Sequence, residues 1–396
     1  MGHPCDPRVA YIPAPVCTGE RRAFMIRAAA PILVAIMLMS ACGGTPPPTE
    51  PYPDRTVLQV ADSIGGASGH DSTAFGYLVD ACLGPSGEVL ALDQAEACVR
   101  VYSPAGEPRG RIGRRGEGPG EMGSPMYLEV LEGRILVQDG TKDGYLVFDG
   151  SYALEDEVQL WPSNAPMDMQ ACGSESSFVA YRLDVRPEGD RLMMPRSFGL
   201  YRLGEKEPEL VCMVDEVEMD PTDFTSLLTS IFWAFSFAAD DSGRVYIAPV
   251  STTDYRVTAW SPAGESLFTV TADIPRVRRT DEEMRAEKEF VEGYIRSVGV
   301  QGVEVDWDPD PYRSLVVGLG TDGMGRLWVQ RGTGTEPVFD VYDPNRGGAH
   351  LFSARLPLPG RRWQVRMYHG TMLAWDEDPP SGVQTLYLIE LPGEGG

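Results

Sequence analysis

The chain contains little of the material from which metal and catalytic sites are usually built. Only 4 of its 396 residues are histidine, and the sequence holds no His-x-His or Cys-x-x-Cys pair, so the short ligand spacings of zinc sites are missing. Neither a Gly-x-Ser-x-Gly nucleophile elbow nor the Gly-Lys-Ser/Thr ending of a phosphate loop occurs. The sequence therefore predicts no cofactor and no catalytic or metal-binding residues, and it leaves open whether the protein is an enzyme.

Basic residues are also scarce. Lysine and arginine number 34 against 58 aspartates and glutamates, which gives a formal net charge of −24. An acidic surface of this size repels phosphate backbones and anionic lipid head groups. The composition excludes electrostatically driven binding to nucleic acid and is typical of a soluble surface.

No apolar run reaches the roughly 20 residues that a membrane-spanning helix needs, but a shorter one is typical of an export signal. Met25-Ile26-Arg27 precedes the apolar run Ala28–Met39, and Ser40-Ala41-Cys42 follows it. A short basic start, an apolar core and a small-residue exit predict a secretory signal over residues 25–41.

The end of this signal resembles a bacterial lipobox, which implies lipidation of Cys42 and a membrane anchor. Residues 1–24 then lie upstream of the true start, and the proline-rich residues 42–54 form a tether. Gly43 does not resemble an inner-membrane retention signal. We expect a monomer anchored by lipid in the cell envelope, at the outer membrane of a Gram-negative bacterium.

The most informative positive feature is internal repetition. Ser-Pro-Ala-Gly-Glu occurs at 103–107 and again at 261–265, each time after an apolar strand pattern. A turn followed by an apolar strand recurs six times, mostly about 45 residues apart, which is the blade length of a β-propeller. The turns begin near residues 85, 131, 176, 241, 323 and 369. The spacing predicts an all-β, six-bladed propeller over residues 55–392.

Two longer gaps between turns carry helix signals. Asp220-Pro221-Thr222-Asp223 opens the first gap as a helix start, and Thr280-Asp281-Glu282-Glu283 opens the second as a capping box. We expect two short helical insertions over one face of the ring. The last unit is one strand short, so Thr56–Val60 is expected to supply its outermost strand and to close the ring.

Three segments of the first blade resemble the NHL-like six-bladed propellers: Leu90–Asp93, Val99–Tyr102 and the glycine-rich Arg111–Glu121. The resemblance is fair in the second blade and holds only in outline beyond it. Members of this family serve mainly as binding platforms for proteins, peptides or other ligands, and a minority of related propellers are enzymes. The resemblance therefore implies a fold more than an activity.

Three residues are candidates for ligand binding. Asp93 and Asp139 end the second strand of their blades, and Arg100 lies in the third strand of the first blade. The resemblance to the NHL-like propellers implies that the two aspartates lie near one face of the ring. The alternative for the aspartates is structural, because Asp readily accepts hydrogen bonds from turn amides. Phe235 and Phe237 alternate with Trp233, a pattern that favours core packing over an aromatic ligand cage.

Other motifs stay open. Asp306, Asp308 and Asp310 alternate as calcium ligands can, but Pro311 and Val317 stand where an EF-hand needs Gly and Glu. Cys82, Cys98, Cys172 and Cys212 permit three disulfide pairings or free thiols, and the sequence does not choose between them.

Three functions remain. The first is a membrane-anchored, extracytoplasmic propeller that holds an envelope protein, a peptide or a small ligand on one face. The second is a metal-dependent hydrolase resembling the gluconolactonase group, which would need several carboxylates converging on the channel. The third is a ring that serves only as an assembly scaffold.

Overall fold

The computed structural model describes residues 52, 54–66, 74–142, 144–160, 165–173, 176–184, 186–189, 191–219, 234–297 and 308–393. The leader, Cys42 and the first predicted helix near residue 220 lie outside this part of the chain. So do Trp233 and Asp306.

Six sheets of antiparallel strands, one of which carries an additional parallel strand at its edge, follow one another along the described chain, so the predicted six-bladed all-β propeller is confirmed. Blades one and two contain β3 (Leu78–Leu83), β4 (Val89–Asp93), β5 (Cys98–Tyr102), β6 (Pro108–Ile112), then β7 (Pro125–Leu131), β8 (Arg134–Asp139), β9 (Gly144–Phe148) and β10 (Leu154–Gln159). Blade three contains β11 (Ala165–Ala171), β12 (Ser177–Leu183), β13 (Arg186–Glu188), β14 (Arg191–Arg202) and β15 (Glu209–Met219).

Blade four contains β16 (Phe235–Ala239), β17 (Val245–Pro249), β18 (Tyr255–Trp260) and β19 (Ser266–Ala272). Helix α1 (Asp281–Ser297) leads to blade five, which contains β20 (Val316–Thr321), β21 (Leu327–Arg331), β22 (Val338–Asp343), a 3₁₀ turn (Pro344–Arg346) and β23 (Ala349–Arg355). Blade six contains β24 (Trp363–Met367), β25 (Thr371–Asp376) and β26 (Thr385–Glu390). Two strands precede blade one: β1 (Arg55–Val57) and β2 (Gln59–Gly65).

The residues before blade one are shared between two blades. β2 pairs antiparallel with β26 at the outer edge of blade six, where Ile64 lies opposite Leu386. β1 instead runs parallel to β23 in blade five, with Thr56 opposite Ala354. The expected single strand Thr56–Val60 is thus divided, and only its last two residues lie on blade six. That this strand closes the ring stays a prediction.

In blades four and five, an aspartate that the sequence motif did not include shapes the repeated turn. In blade four, Asp240 accepts hydrogen bonds from the backbone nitrogen of Arg244 at 3.0 Å, from its Nε at 2.8 Å and from the Tyr246 hydroxyl at 2.7 Å. Gly243 has φ 84° and donates to the Asp240 carbonyl. Three residues separate Asp240 from Arg244 in this turn, whereas the turn of blade two joins Leu131 to Arg134 with only two. Glycine fits it because the left-handed region costs glycine almost nothing.

Each blade joint is bridged by a side chain of one blade bonded to the backbone of the next. Among the described residues, strands of different blades do not pair with each other, so these side chains supply the hydrogen bonds that the backbone groups at the joints need. The bridging bonds are Asp80 to Leu128 N, Glu129 to Ala171 N, Gln170 to Phe237 O, Thr321 to Ala239 O, Gln330 to Trp363 O, and Gln384 to both Leu78 N and Leu78 O.

Helix α1 begins as the sequence predicts. The Thr280 hydroxyl accepts from the Glu283 nitrogen at 3.2 Å, and a Glu283 carboxylate oxygen accepts from the Thr280 nitrogen at 2.8 Å. This reciprocal capping box satisfies two otherwise unpaired donors. At 17 residues the helix is longer than the short insertion expected.

Candidate functional site

A large cavity of about 1770 Å³ opens on one face of the ring. The inner strands of all six blades contribute to its wall, and side chains of α1 cover part of it. Binding sites are usually concave, mostly apolar and furnished with a few polar groups. Its volume exceeds that of a typical small-molecule pocket, so it has room for a peptide-sized ligand.

An arginine from blade six lies at the floor of this cavity. Arg366 donates from Nη2 to Asp80 Oδ2 of blade one at 2.9 Å and to Asp168 Oδ1 of blade three at 3.1 Å. Burial alone would lower the pKa of Arg366, but the two carboxylates more than offset this and hold the pKa above its usual value. The contacts join three blades across the channel.

Two carboxylic acids in this region have raised pKa values. Burial raises the pKa of Glu129, on blade two, to about 7, although the charge of Arg366 acts in the opposite direction. Desolvation by the surrounding protein likewise raises the pKa of Asp168 to about 6, although its side chain is 37% exposed and the charge of Arg366 acts in the opposite direction. Perturbed carboxyl groups in a concave site are candidates for function, although structural networks perturb them too.

Side chains of α1 form ion pairs with arginines of the cavity rim. Arg279 Nη1 lies 2.5 Å from Glu287, and Arg313 pairs with Glu283. These contacts fix the helix to the segments that connect it to blades four and five.

The sequence-predicted candidates lie deeper than the cavity surface. Asp93 and Asp139 are fully buried. Asp93 accepts from the Gly76 and Tyr77 nitrogens and forms an ion pair with Arg100 at 2.9 Å.

Asp139 likewise accepts hydrogen bonds from the backbone nitrogens of Gly123, Ser124 and Thr141. These contacts match the structural alternative for both aspartates. A ligand-binding role for Asp93, Asp139 and Arg100 stays a prediction.

Of the remaining sequence candidates, Phe235 and Phe237 pack in a hydrophobic cluster and also line the cavity. Asp310 accepts from the Tyr312 nitrogen and the Thr252 hydroxyl. The four cysteines of the described chain are free and buried: Cys82, Cys98, Cys172 and Cys212.

The charged floor was missed by sequence reasoning. Asp80, Glu129, Asp168 and Arg366 each lie in a mostly apolar inner strand. A lone charge in a buried strand has to find a partner, because burying it unpaired is costly. That pattern was visible in the sequence and could have identified these residues.

Several carboxylates line the cavity, but no histidine or cysteine is among the described residues of its wall. No group of three or more His, Cys, Asp or Glu in the described ranges could hold a metal ion. The guanidinium of Arg366 lies among the channel carboxylates, where a divalent cation would have to bind, so the residues present do not fit a metal centre.

No helix within the described residues is long and apolar enough to cross a membrane.

No protein-family model matches this chain, and no curated protein is similar to it. Solved propellers resemble it in fold. A gluconolactonase from Xanthomonas campestris is 12% identical at a TM-score of 0.45, over 87% of this chain and 99% of that one. A streptogramin B lyase is 10% identical at a TM-score of 0.45, over 84% of this chain and 98% of that one. The calcium-binding protein regucalcin from Agrobacterium tumefaciens is 13% identical at a TM-score of 0.44, over 85% of this chain and 97% of that one. Likenesses at this level carry no argument about function, and the fold rests on the sheet topology alone.

Proposed function

We propose that this protein is a non-catalytic binding propeller, anchored by lipid on an envelope membrane through Cys42. It holds a protein, peptide or small ligand in the cavity on the α1 face. As in the NHL-like propellers it resembles, the ring is a rigid platform. The export signal and lipobox pattern support the anchor, and the proline-rich tether supports display away from the membrane.

The observation that carries this proposal is the convergence of all six inner strands on one cavity covered by α1. Aromatic side chains and paired charges line the cavity, and it lacks a histidine or cysteine within the described lining. Such a surface suits recognition, because shape and matched charge supply specificity without a reacting group.

The alternative is the metal-dependent propeller hydrolase. Its support is the presence of Asp80, Glu129 and Asp168 on three neighbouring blades, and Arg366 argues against it. Metal analysis of the purified protein distinguishes the two functions: one tightly held divalent ion per chain favours the hydrolase.

A cavity-filling substitution tests the binding function. Val317 lines the cavity and is 39% exposed, whereas Val383 is 37% exposed and lies outside it. We expect Val317→Trp to capture at least tenfold less material from envelope extracts than the wild-type protein does. Val383→Trp should capture the same amount as the wild-type protein. Equal capture by both variants contradicts a role for the cavity.

Fractionation tests the anchor. We expect the wild-type protein in the outer-membrane fraction and Cys42→Ser in a soluble or unprocessed form. Metabolic labelling with a fatty acid should mark the wild-type protein and not the variant.

A further inference from the structure

Asp168 has the most unusual backbone on the cavity floor. It is not glycine, yet its φ is 52°, in the left-handed region. It lies at a register shift of β11 against β12, between Met167 and Met169. A bulge of this kind re-aims a side chain, and strained backbone often occurs at functional sites.

The Asp168 carboxylate retains acceptor capacity toward the cavity. Oδ1 accepts from Arg366, whereas Oδ2 makes no hydrogen bond to the described residues. The Asp168 side chain is 37% exposed, against 4% for Asp80 and 13% for Arg366. Among these three charged groups, Asp168 is the one that a ligand can reach most easily.

The arginines of the cavity do not offer an equivalent site for an anion. Each arginine lining the described cavity already has a carboxylate partner, and the whole chain carries a net charge of −24. The pairs are Arg279–Glu287, Arg313–Glu283, Arg331–Asp340, Arg361–Asp378, Arg362–Glu377 and Arg366–Asp80. The accessible excess charge is thus negative, and it favours a cationic ligand.

The aromatic wall suits the body of such a ligand. Tyr181, Phe235 and Phe237 line the cavity, and the rings of Tyr181 and Phe235 are 5.8 Å apart. The guanidinium carbon of Arg196 already lies 4.9 Å from the Phe235 ring centre. Aromatic faces attract organic cations and their apolar stems.

A second group of polar atoms in the cavity wall has no partner. The indole Nε1 atoms of Trp363 and Trp375 are buried and find no hydrogen-bond acceptor among the described residues. Buried donors without partners are uncommon, and each calls for an explanation. Both nitrogens are closed off from solvent, so a ligand that brings carbonyl oxygens would satisfy them only after the side chains over them move.

We propose that the cavity binds a peptide segment with a basic side chain, whose ammonium or guanidinium group pairs with Asp168. When the side chains over the two indole nitrogens move aside, peptide carbonyls of the same ligand accept from these N–H groups. This inference rests on the proposed binding function and narrows its ligand to a basic peptide.

The test uses a capped peptide, Ala-Phe-Lys-Ala, titrated calorimetrically into the purified protein. Its analogue with norleucine in place of lysine is the neutral control. We expect the lysine peptide to bind at least tenfold more tightly. Asp168→Asn should remove the preference for the lysine peptide. Asp156 is an exposed residue of β10, and Asp156→Asn removes the same amount of charge but should leave the preference intact.

A spectroscopic measurement checks the peptide carbonyls. In ¹⁵N-labelled protein the indole signals of Trp363 and Trp375 should shift on adding the lysine peptide. The signal of Trp328 should not, because its Nε1 already donates to Asp322 at 2.7 Å.

Three results overturn the inference: no binding of the lysine peptide to the wild-type protein, equal binding of the norleucine analogue, or unchanged preference in Asp168→Asn. The last would mean that Asp168 serves only to hold Arg366. If the cavity captures an anionic or uncharged ligand instead, the inference fails while the proposed binding function stands.

Discussion

The carboxylate of Asp340 in blade five is fully buried and makes four hydrogen bonds. Arg331 donates to it from Nε and Nη2, both at 2.7 Å; Tyr255 donates at 2.8 Å and Ser353 at 2.6 Å. The side chains of Arg331 and Asp340 are 1% and 0% exposed. Replacing Asp340 with Asn preserves its shape but removes the carboxylate that pairs with the buried Arg331 guanidinium.

The cost of that replacement follows from the burial of the pair. Removing one partner of a buried ion pair typically costs about 3–5 kcal/mol, because the other charge is left uncompensated. We therefore expect Asp340→Asn and Arg331→Met each to lower the free energy of unfolding by about that amount. A domain has only about 5–15 kcal/mol in total, so either loss is severe. The double variant should lose less than the sum, because neither lone charge remains buried.

Urea unfolding followed by circular dichroism and tryptophan fluorescence measures these changes, provided that the two transitions coincide. Arg355→Met is the matched control, since its pair with Glu336 in the same blade is 3.2 Å long and about 40% exposed on both sides. Exposed pairs contribute at most about 1 kcal/mol. If Asp340→Asn costs no more than Arg355→Met, or if the single losses add fully, the reasoning about the buried pair is wrong.

Three further predictions concern other parts of the ring. The pKa of Glu129 is raised to about 7 from its usual 4.5, so the folded protein binds this proton more tightly than the unfolded chain, and stability should fall as pH rises from about 4.5 to 7. Between pH 5 and pH 7.5 the melting temperature of Glu129→Gln should therefore fall less than that of the wild-type protein. An equal fall in both proteins would contradict the assignment. A Cβ at Gly144 would lie 1.9 Å from a carbonyl oxygen of the neighbouring strand, so Gly144→Ala should lower the melting temperature sharply. Gly110→Ala, where a Cβ meets nothing within 4 Å, should change it little, and similar melting of the two variants would refute the clash. If β2 holds the ring closed, Ile64→Ala should lower the free energy of unfolding by about 2–5 kcal/mol, because Ile64 is only 2% exposed. Val60→Ala, at a residue 41% exposed, should change it by no more than about 0.5 kcal/mol in the same urea assay. Equally small losses in the two variants would argue against closure.

The sequence predicted local structure well where one short segment determines it. The Ser-Pro-Ala-Gly-Glu turns have the same hydrogen bonds in both copies: Ser103 and Gly106 match Ser261 and Gly264. The capping box at Thr280 also formed as expected. Turns and caps depend on neighbouring residues and on backbone preferences, so their signals survive in any tertiary context.

The division of the N-terminal segment between blades five and six could not be predicted in this way. An apolar pattern predicts a strand, but the sheet edge it joins depends on where the other blades leave unpaired backbone groups. The predicted Thr56–Val60 strand is accordingly split, with Thr56 on blade five and Val60 on blade six.

The sequence alone determined the repeat, its period and the turns, and hence a ring of six small sheets, because these follow from local chemistry repeated along the chain. Only the tertiary structure decided which charges meet. Asp80 and Arg366 are 286 positions apart in the chain, yet their side chains are 2.9 Å apart across the channel. Such a pairing depends on the rotation between blades, which no single segment encodes.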